Sequence, residues 1–232
     1  MQAFIHEKKI KRRGNLGKYA MIGGMLLLVI GFVISLRRDP ETVPMLIGLA
    51  AAGTIVTQAG SVYFAKYGQS PRPDEVLADS FKGLSNSHAL FHYTLNTDHA
   101  LLGPSGTAAI LAYQINGTIT YANGHFYSQR QKGLFGRPRK KKIRNVVKTA
   151  EREVRELNKV LQWAFPDRDD IDAQPLVVFV NDDVIVDIDE APIAAVHAKK
   201  AKNAFKHLPR RGGLSTEEIA TLASKRGFEA ET

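Results

Sequence analysis

The sequence contains no cysteine. That absence excludes a disulfide framework, a zinc–thiolate centre and a cysteine nucleophile, and it fits a reducing compartment. A second absence is local. From Ser105 to Gln129 there is no Asp, Glu, Lys or Arg. That stretch therefore supplies neither carboxylates for a hard cation nor a cation for a phosphate. Charge is missing again from Tyr19 to Leu36 and from Val43 to Ala65. No internal repeat and no low-complexity domain is visible. At 232 residues the chain has room for one soluble domain plus additional elements.

The two long charge-free runs, 19–36 and 43–65, are long enough to span a bilayer, the first at the lower edge of that length. The short connector Arg37–Thr42 forces an antiparallel hairpin if both span. No small-residue cleavage site follows the first run and a second run arrives at once, which argues against a signal peptide. Tyr63, Lys66 and Tyr67 stand where an interfacial belt belongs. Gly23, Gly24, Gly48, Ala52, Gly53 and Gly60 have two readings: close helix approach, or the ordinary glycine and alanine content of such helices. Net charge is +9, and residues 1–18 hold +5 of it as six Lys/Arg against Glu7. The high pI is therefore not in itself a sign of nucleic acid. By the positive-inside rule this flank places the N-terminal tail and the large domain in the cytoplasm, on an inner or plasma membrane.

Ser70-Pro71-Arg72-Pro73 reads as a stiff linker. Apolar spacing predicts a helix over Asp74–Leu84 and a strand over Ser87–Leu95. His88 and His92 have no acid nearby and read as surface or packing histidines rather than metal ligands. Gly103-Pro104-Ser105-Gly106 is a turn cluster. Beyond it, Thr107–Ile115, Thr118–Ala122 and His125–Gln129 are separated by Asn116-Gly117 and Asn123-Gly124. Asn-Gly suits the two positive-φ positions of a type I′ hairpin turn, so this stretch predicts a three-stranded antiparallel meander.

The run from Arg130 to Arg144 carries eight Lys/Arg and no acid. Read as one basic loop, it has three candidate roles: gripping nucleic-acid phosphates, meeting anionic lipid headgroups, or standing solvated without a ligand. Asn145–Ala164 predicts an amphipathic helix whose stripe runs from Val146 to Trp163. Pro175–Val180 predicts a strand buried on both faces. Val184–Ile188 and Pro192–His197 predict further strands, and Asp187 and Asp189 read as a solvated rim. Lys199–Leu208 is helical in pattern. Ser215-Thr216-Glu217-Glu218 is a capping box opening a last helix over Thr216–Lys225.

The order Asp98-His99, three apolar residues, Gly-Pro-Ser-Gly, apolar strand, Asn-Gly, strand, Asn-Gly-His-Phe resembles the nuclease-related domain, or NERD, of the restriction-endonuclease-like superfamily. The ending Leu214-Ser215-Thr216-Glu217-Glu218-Ile219 is similar to that family as well. Active members resemble metal-dependent nucleases using an Asp followed by Glu-x-Lys on the next strand. Asp98 takes the Asp position, but the Glu falls on Leu111 and the Lys on Tyr113. The helix motif that opens Asn-Pro-x-x-Gln keeps only Asn145; Val146 and Thr149 replace the Pro and Gln.

The resemblance, which covers roughly Asp74 to Arg226, implies an α/β fold, a restriction-endonuclease-like mixed sheet flanked by helices, and the charge-free runs place a two-helix transmembrane hairpin before it. Its parts are a basic cytoplasmic tail 1–18, the hairpin 19–65, a linker 66–73, a NERD-like domain 74–226 and a tail 227–232. With two of three core positions lost, the implied function is binding of nucleic acid, anionic membrane or a protein partner. Arg137, Arg139, Lys140, Lys141, Lys142 and Arg144 are expected to carry it, with no cofactor. The alternative is a divergent Mg²⁺-dependent nuclease in which Asp98 works with a displaced acid such as Glu75 or Asp187.

Overall fold

The structure, a computed structural model, describes residues 1–37, 39–130 and 139–228, with Arg139 described by its backbone alone. The chain forms two compact units, Met1–Ile5 with Pro73–Thr232, and His6–Arg72.

The second unit is a helical hairpin. α1 spans Glu7–Ser35 and α2 spans Val43–Tyr67, with a short 3₁₀ turn at Pro40–Thr42 between them. Glycine decides how the two helices meet. A Cβ on Gly17 would lie 2.6 Å from the Phe64 amide nitrogen, and one on Gly24 2.6 Å from that of Thr57. Across from them, a Cβ on Gly53 would stand 2.9 Å from the Gly24 carbonyl oxygen and one on Gly60 would strike the Met21 amide. Gly17 and Gly24 are seven residues apart, as are Gly53 and Gly60, so each pair falls on one stripe and lets backbone touch backbone. Gly23 and Gly48 face nothing within 4 Å, so only part of the small-residue set serves the contact. Around this seam the surface is apolar and open: Phe32, Ile47 and Ile55 are 65, 67 and 68 % exposed. Both helices are long and apolar enough to cross a membrane, and only 11 % of each apolar window is buried.

The first unit holds two sheets. The large one has six strands: β1 (Gln2–Ile5), β2 (Ala89–His92), β3 (His99–Gly103), β4 (Gly106–Tyr113), β8 (Gln174–Phe179) and β10 (Ala194–His197), paired in that order. β2, β3 and β4 are antiparallel, whereas β1–β2, β4–β8 and β8–β10 are parallel. The helix α4 (Val146–Ala164) makes the crossover from the β4 half of the chain to β8. It covers one face together with α6 (Thr216–Lys225), packing Leu157, Val160, Leu161, Ile219 and Leu222 on Phe91, Ala100 and Leu102. α3 (Pro73–Ser80) and α5 (Ala201–His207) cover the other, with Leu77, Phe81 and Phe205 on Leu90, Leu101, Ile110 and Val178. The central strands are buried on both faces, and β8 shows the apolar run such a position requires.

The small sheet runs β7 (Arg139–Ile143), β6 (His125–Arg130), β5 (Thr118–Ala122), β9 (Ile185–Val186). A third apolar cluster joins it to the large sheet: Ile119, Phe126 and Val184 meet Leu111, Val177 and Phe179, with Val146 and Ala150 of α4 beside them.

Several expectations are corrected. The N-terminus is not wholly a tail. Gln2–Ile5 is an edge strand of the large sheet, its Phe4 ring stacked on Phe91 at 4.7 Å, and α1 begins at Glu7 rather than Tyr19. The hairpin is thus inserted between the first and second strands of the domain, and both of its ends return to one folded unit. The meander is also divided. Asn123-Gly124 does close a two-residue hairpin, with φ of 50° and 75° and Ala122 opposite His125. Asn116-Gly117 does not: there the chain leaves β4 and enters the other sheet. The antiparallel triplet of the large sheet is instead β2–β3–β4, turned at Pro104-Ser105. The basic loop is in part a strand, β7, paired antiparallel with β6. Trp163 does not join the α4 stripe. It is 60 % exposed, beneath the cations of Lys225 and Arg226.

Candidate functional sites

Two places collect the residues singled out by the sequence. The first is the basic edge of the small sheet. Period-two alternation sets Ser128 of β6 opposite Lys141 and Phe126 opposite Ile143, while Tyr127 pairs with Lys142 and Gln129 with Lys140. Phe126 and Ile143 point into the third apolar cluster, so Ser128 and Lys141 share that face further along the strands. Tyr127, Lys140 and Lys142 occupy the other face, where the Lys140 ammonium stands 4.5 Å from the Tyr127 ring centroid.

Beside these strands, the crossover Gln114–Ile115 leaves a groove. It is walled by Arg130, Lys140, Lys141, Lys142 and Arg144 together with Gln114 and Ser128, and among the described residues no Asp or Glu lines it. The Ser128 hydroxyl donates to the Asn116 carbonyl at 2.8 Å, tying the crossover to β6. Five cations with no acid among the described lining residues suit a polyanion. Lysines on an edge strand also bar unwanted strand pairing, a purely structural service. Of the six residues expected to bind anions, Lys140, Lys141, Lys142 and Arg144 are brought together here. Arg139 pairs its backbone with Arg130, and Arg137 lies outside the described residues.

The second place surrounds Asp98. Continuing the β3–β4 register one step beyond His99–Ile110 sets Asp98 opposite Leu111. The position where the resemblance expects Glu is therefore the cross-strand neighbour of Asp98, and it is held by a leucine only 6 % exposed within the third apolar cluster. Two residues on, Tyr113 takes the Lys position. Burial, and after it the nearby Glu153 carboxylate, raise its phenol above the ordinary value, with Arg152 pulling the other way.

Glu153 of α4 is the acid that the sequence did not single out. Its Oε2 accepts the Asp98 backbone N–H at 3.3 Å, and its Oε1 receives Arg152 at 3.1 Å. Nothing local marks it: it is one of several charges on the polar side of an amphipathic helix, and only the fold carries it to Asp98. The displaced acids considered beforehand stand elsewhere. Glu75 belongs to α3, which covers the opposite face of the large sheet from α4. Asp187 follows β9 of the small sheet, exposed, with its N–H on the Ile119 carbonyl at 2.9 Å. Among the described residues no group of three or more His, Cys, Asp or Glu is placed to hold a metal ion. An Asp98–Glu153 pair with Leu111 between the strands does not reproduce the oxygen cluster that a hard cation favours.

The histidines pack. His88 bonds Ser105 through Nε2 at 2.8 Å and Ser85 through Nδ1 at 2.9 Å, and its burial lowers its pKa. His92 and His99 face each other across β2 and β3, Nδ1 to Nδ1 at 2.7 Å.

No family model, no curated protein and no solved structure matches the chain.

Proposed function

We propose that this chain is a membrane-anchored, NERD-like module that binds nucleic acid through the groove beside β7 and has lost the Glu-x-Lys chemistry of its active relatives. The observation that carries the proposal is the groove itself: five cations and, among the described residues, no carboxylate along β6, β7 and Arg144 beyond them, with Gln114 and Ser128 adding neutral hydrogen-bonding groups. Such a surface follows a phosphate backbone by charge and releases counterions on binding. The restriction-endonuclease-like reading draws support from Asp98 standing at the head of β3 with positions 111 and 113 on the next strand. The hairpin crosses the membrane, and its basic flank at residues 8–18 holds the domain on the cytoplasmic side.

The test uses the full chain in lipid nanodiscs, with labelled DNA and RNA in Mg²⁺ or Mn²⁺. Retention without cutting is expected. It should weaken as salt rises, and by tenfold or more in K140Q/K141Q/K142Q, while D98A binds as the wild type does. Cutting abolished by D98A and by E153Q would overturn the loss of chemistry and identify Glu153 as the second acid. Retention unchanged in the triple variant would overturn the groove.

A further inference from the structure

The hairpin carries a second basic site, independent of the small sheet. Lys8, Lys9, Arg12 and Arg13 line a pocket whose apolar floor is Leu16 of α1 and Tyr63 of α2. Positions 8, 9, 12, 13 and 16 recur at helical spacing, so they form one stripe. We infer that this stripe and the end of α2 bind the phosphate of an anionic phospholipid headgroup, with Leu16 and Tyr63 against the first acyl carbons.

An anion at such a stripe would relieve two unfavourable arrangements of charge. Lys8 with Arg12, and Lys9 with Arg13, are like-charge pairs four residues apart, which destabilise a helix. They also lie in the first two turns of α1, where the macrodipole favours acids over bases. On a neighbouring face the same turns hold a balanced pair, Glu7 with Lys11 at 3.5 Å.

The pocket is also built rather than merely charged. Arg13 donates to the Tyr67 hydroxyl at 2.8 Å and lies 5.4 Å from the centroid of its ring, which fixes one guanidinium in place. Gly14 and Gly17 bring Tyr67 and Phe64 to backbone contact with α1, so α2 closes one side. The height fits as well. Arg13 lies six residues before the charge-free run that opens at Tyr19, roughly 9 Å along the helix, the depth of a headgroup layer. Leu16 lies about 4.5 Å below that run, at the boundary.

The inference rests on the reading that the hairpin spans a membrane, and its test separates the two. The full chain is placed in phosphatidylcholine nanodiscs with graded phosphatidylglycerol, transferred to neutral detergent, and weighed by native mass spectrometry for retained lipid. Wild type is expected to keep phosphatidylglycerol over phosphatidylcholine. R12Q/R13Q should bind it about 25-fold more weakly, roughly fivefold per charge, while K140Q/K141Q/K142Q retains it fully. R12K/R13K, which keeps charge, should retain most of it and guards against misfolding. Without phosphatidylglycerol, R12Q should melt no lower than wild type, because repulsion from Lys8 is relieved while Arg13 keeps its bond to Tyr67. Equal retention of both lipids, or retention untouched in R12Q/R13Q, overturns the site while the hairpin still enters the discs. Displacement by an equal concentration of soluble glycerol phosphate overturns the lipid in favour of a free phosphate ester. A chain that stays soluble and enters no disc overturns the site and the membrane reading together.

Discussion

The two sheets of this protein obey opposite rules. In the large sheet, β2, β3 and most of β4 are buried residue after residue, because helices cover both faces. In the small sheet one face meets the third apolar cluster and the other is open, so β6 alternates between the buried Phe126 and Ser128 and the more open Tyr127 and Gln129. A strand covered on both sides has no place for charge, and a strand covered on one side can carry it on the other. The comparison explains why the chain's densest basic run lies on β7. The same rule bears on position 111, which belongs to the covered sheet and faces the cluster between the sheets: a leucine packs there, and a lone carboxylate would be left without water.

The sharpest break of this contrast comes from β1, which completes the large sheet from the far side of the hairpin. Phe4 is 5 % exposed and stacks on Phe91. Phe4→Ala should cost about 3–5 kcal/mol, by lost burial and a cavity at the sheet edge. A fragment covering only residues 70–232 should fare worse. It lacks β1 altogether and bares the edge of β2, an apolar strand with unpaired backbone groups. Light scattering after size exclusion should find it oligomeric or aggregated where the full chain in detergent is not. A monomeric fragment with a cooperative melt would show that β1 is dispensable.

That strand is also where the sequence was least legible. Gln2–Ile5 is four residues long, follows no turn signal and precedes a cluster of lysines, so local pattern assigned it to the basic tail. Its partner lies more than eighty residues away in the chain. The hairpin helices, α4, the doubly covered β8 and the Ser215 capping box were all legible, because their signals are local: absence of charge, a 3.6-residue stripe, a β-branched run, a side chain reaching back to its own helix. Glu153 was not, since nothing in Glu-Arg-Glu-Val-Arg-Glu says which acid meets Asp98. Lys140–Lys142 were legible as charge but not as a strand, since lysine has no preference for one.

The two Asn-Gly pairs carry the comparison into the turns. Both supply a glycine at positive φ, 98° at Gly117 and 75° at Gly124, and the dipeptide encodes no more than that. Which strand follows depends on what covers it. At Asn123-Gly124 the chain turns within the small sheet; at Asn116-Gly117 it changes sheets, with Gly117 pressed on the Gln129 carbonyl and Asn116 bonded by Asn181. A Cβ at Gly124 would meet nothing within 4 Å. Gly124→Ala should therefore cost about 1–2 kcal/mol, the strain of a left-handed residue alone. Gly117→Ala adds a clash with backbone and should cost roughly 3 kcal/mol or more. Denaturant midpoints of the pair, at equal slope, would measure the difference. Equal costs would mean that the junction between the sheets yields more readily than its geometry implies.

A smaller effect is expected where α6 caps the large sheet. The Ser215 hydroxyl accepts the Glu218 N–H at 3.2 Å, while the Glu218 side chain accepts the Ser215 N–H at 2.8 Å and also holds Arg168. Ser215→Ala should lower stability by about 1 kcal/mol, read from the melting curve. Glu218→Ala should lower it further, since Arg168 then loses one partner and is left with Asp170 and the Gly213 carbonyl among the described residues.

The smallest change in stability belongs to the lysines of β7. Lys141 and Lys142 are exposed, and their replacement by Gln should leave the unfolding free energy within about 0.5 kcal/mol, as for surface sites generally. Lys140 differs by one contact, its cation over Tyr127, so K140Q should cost about 0.5–1 kcal/mol. Affinity for nucleic acid should follow a different order. Every lysine that neutralises a phosphate lowers the slope of log affinity against log salt by about 0.9 when removed, whether or not it stabilises the fold. A variant neutral for folding that flattens this slope would identify a binding lysine. One that changes neither quantity would leave that lysine the structural duty of keeping the edge strand from pairing with another chain.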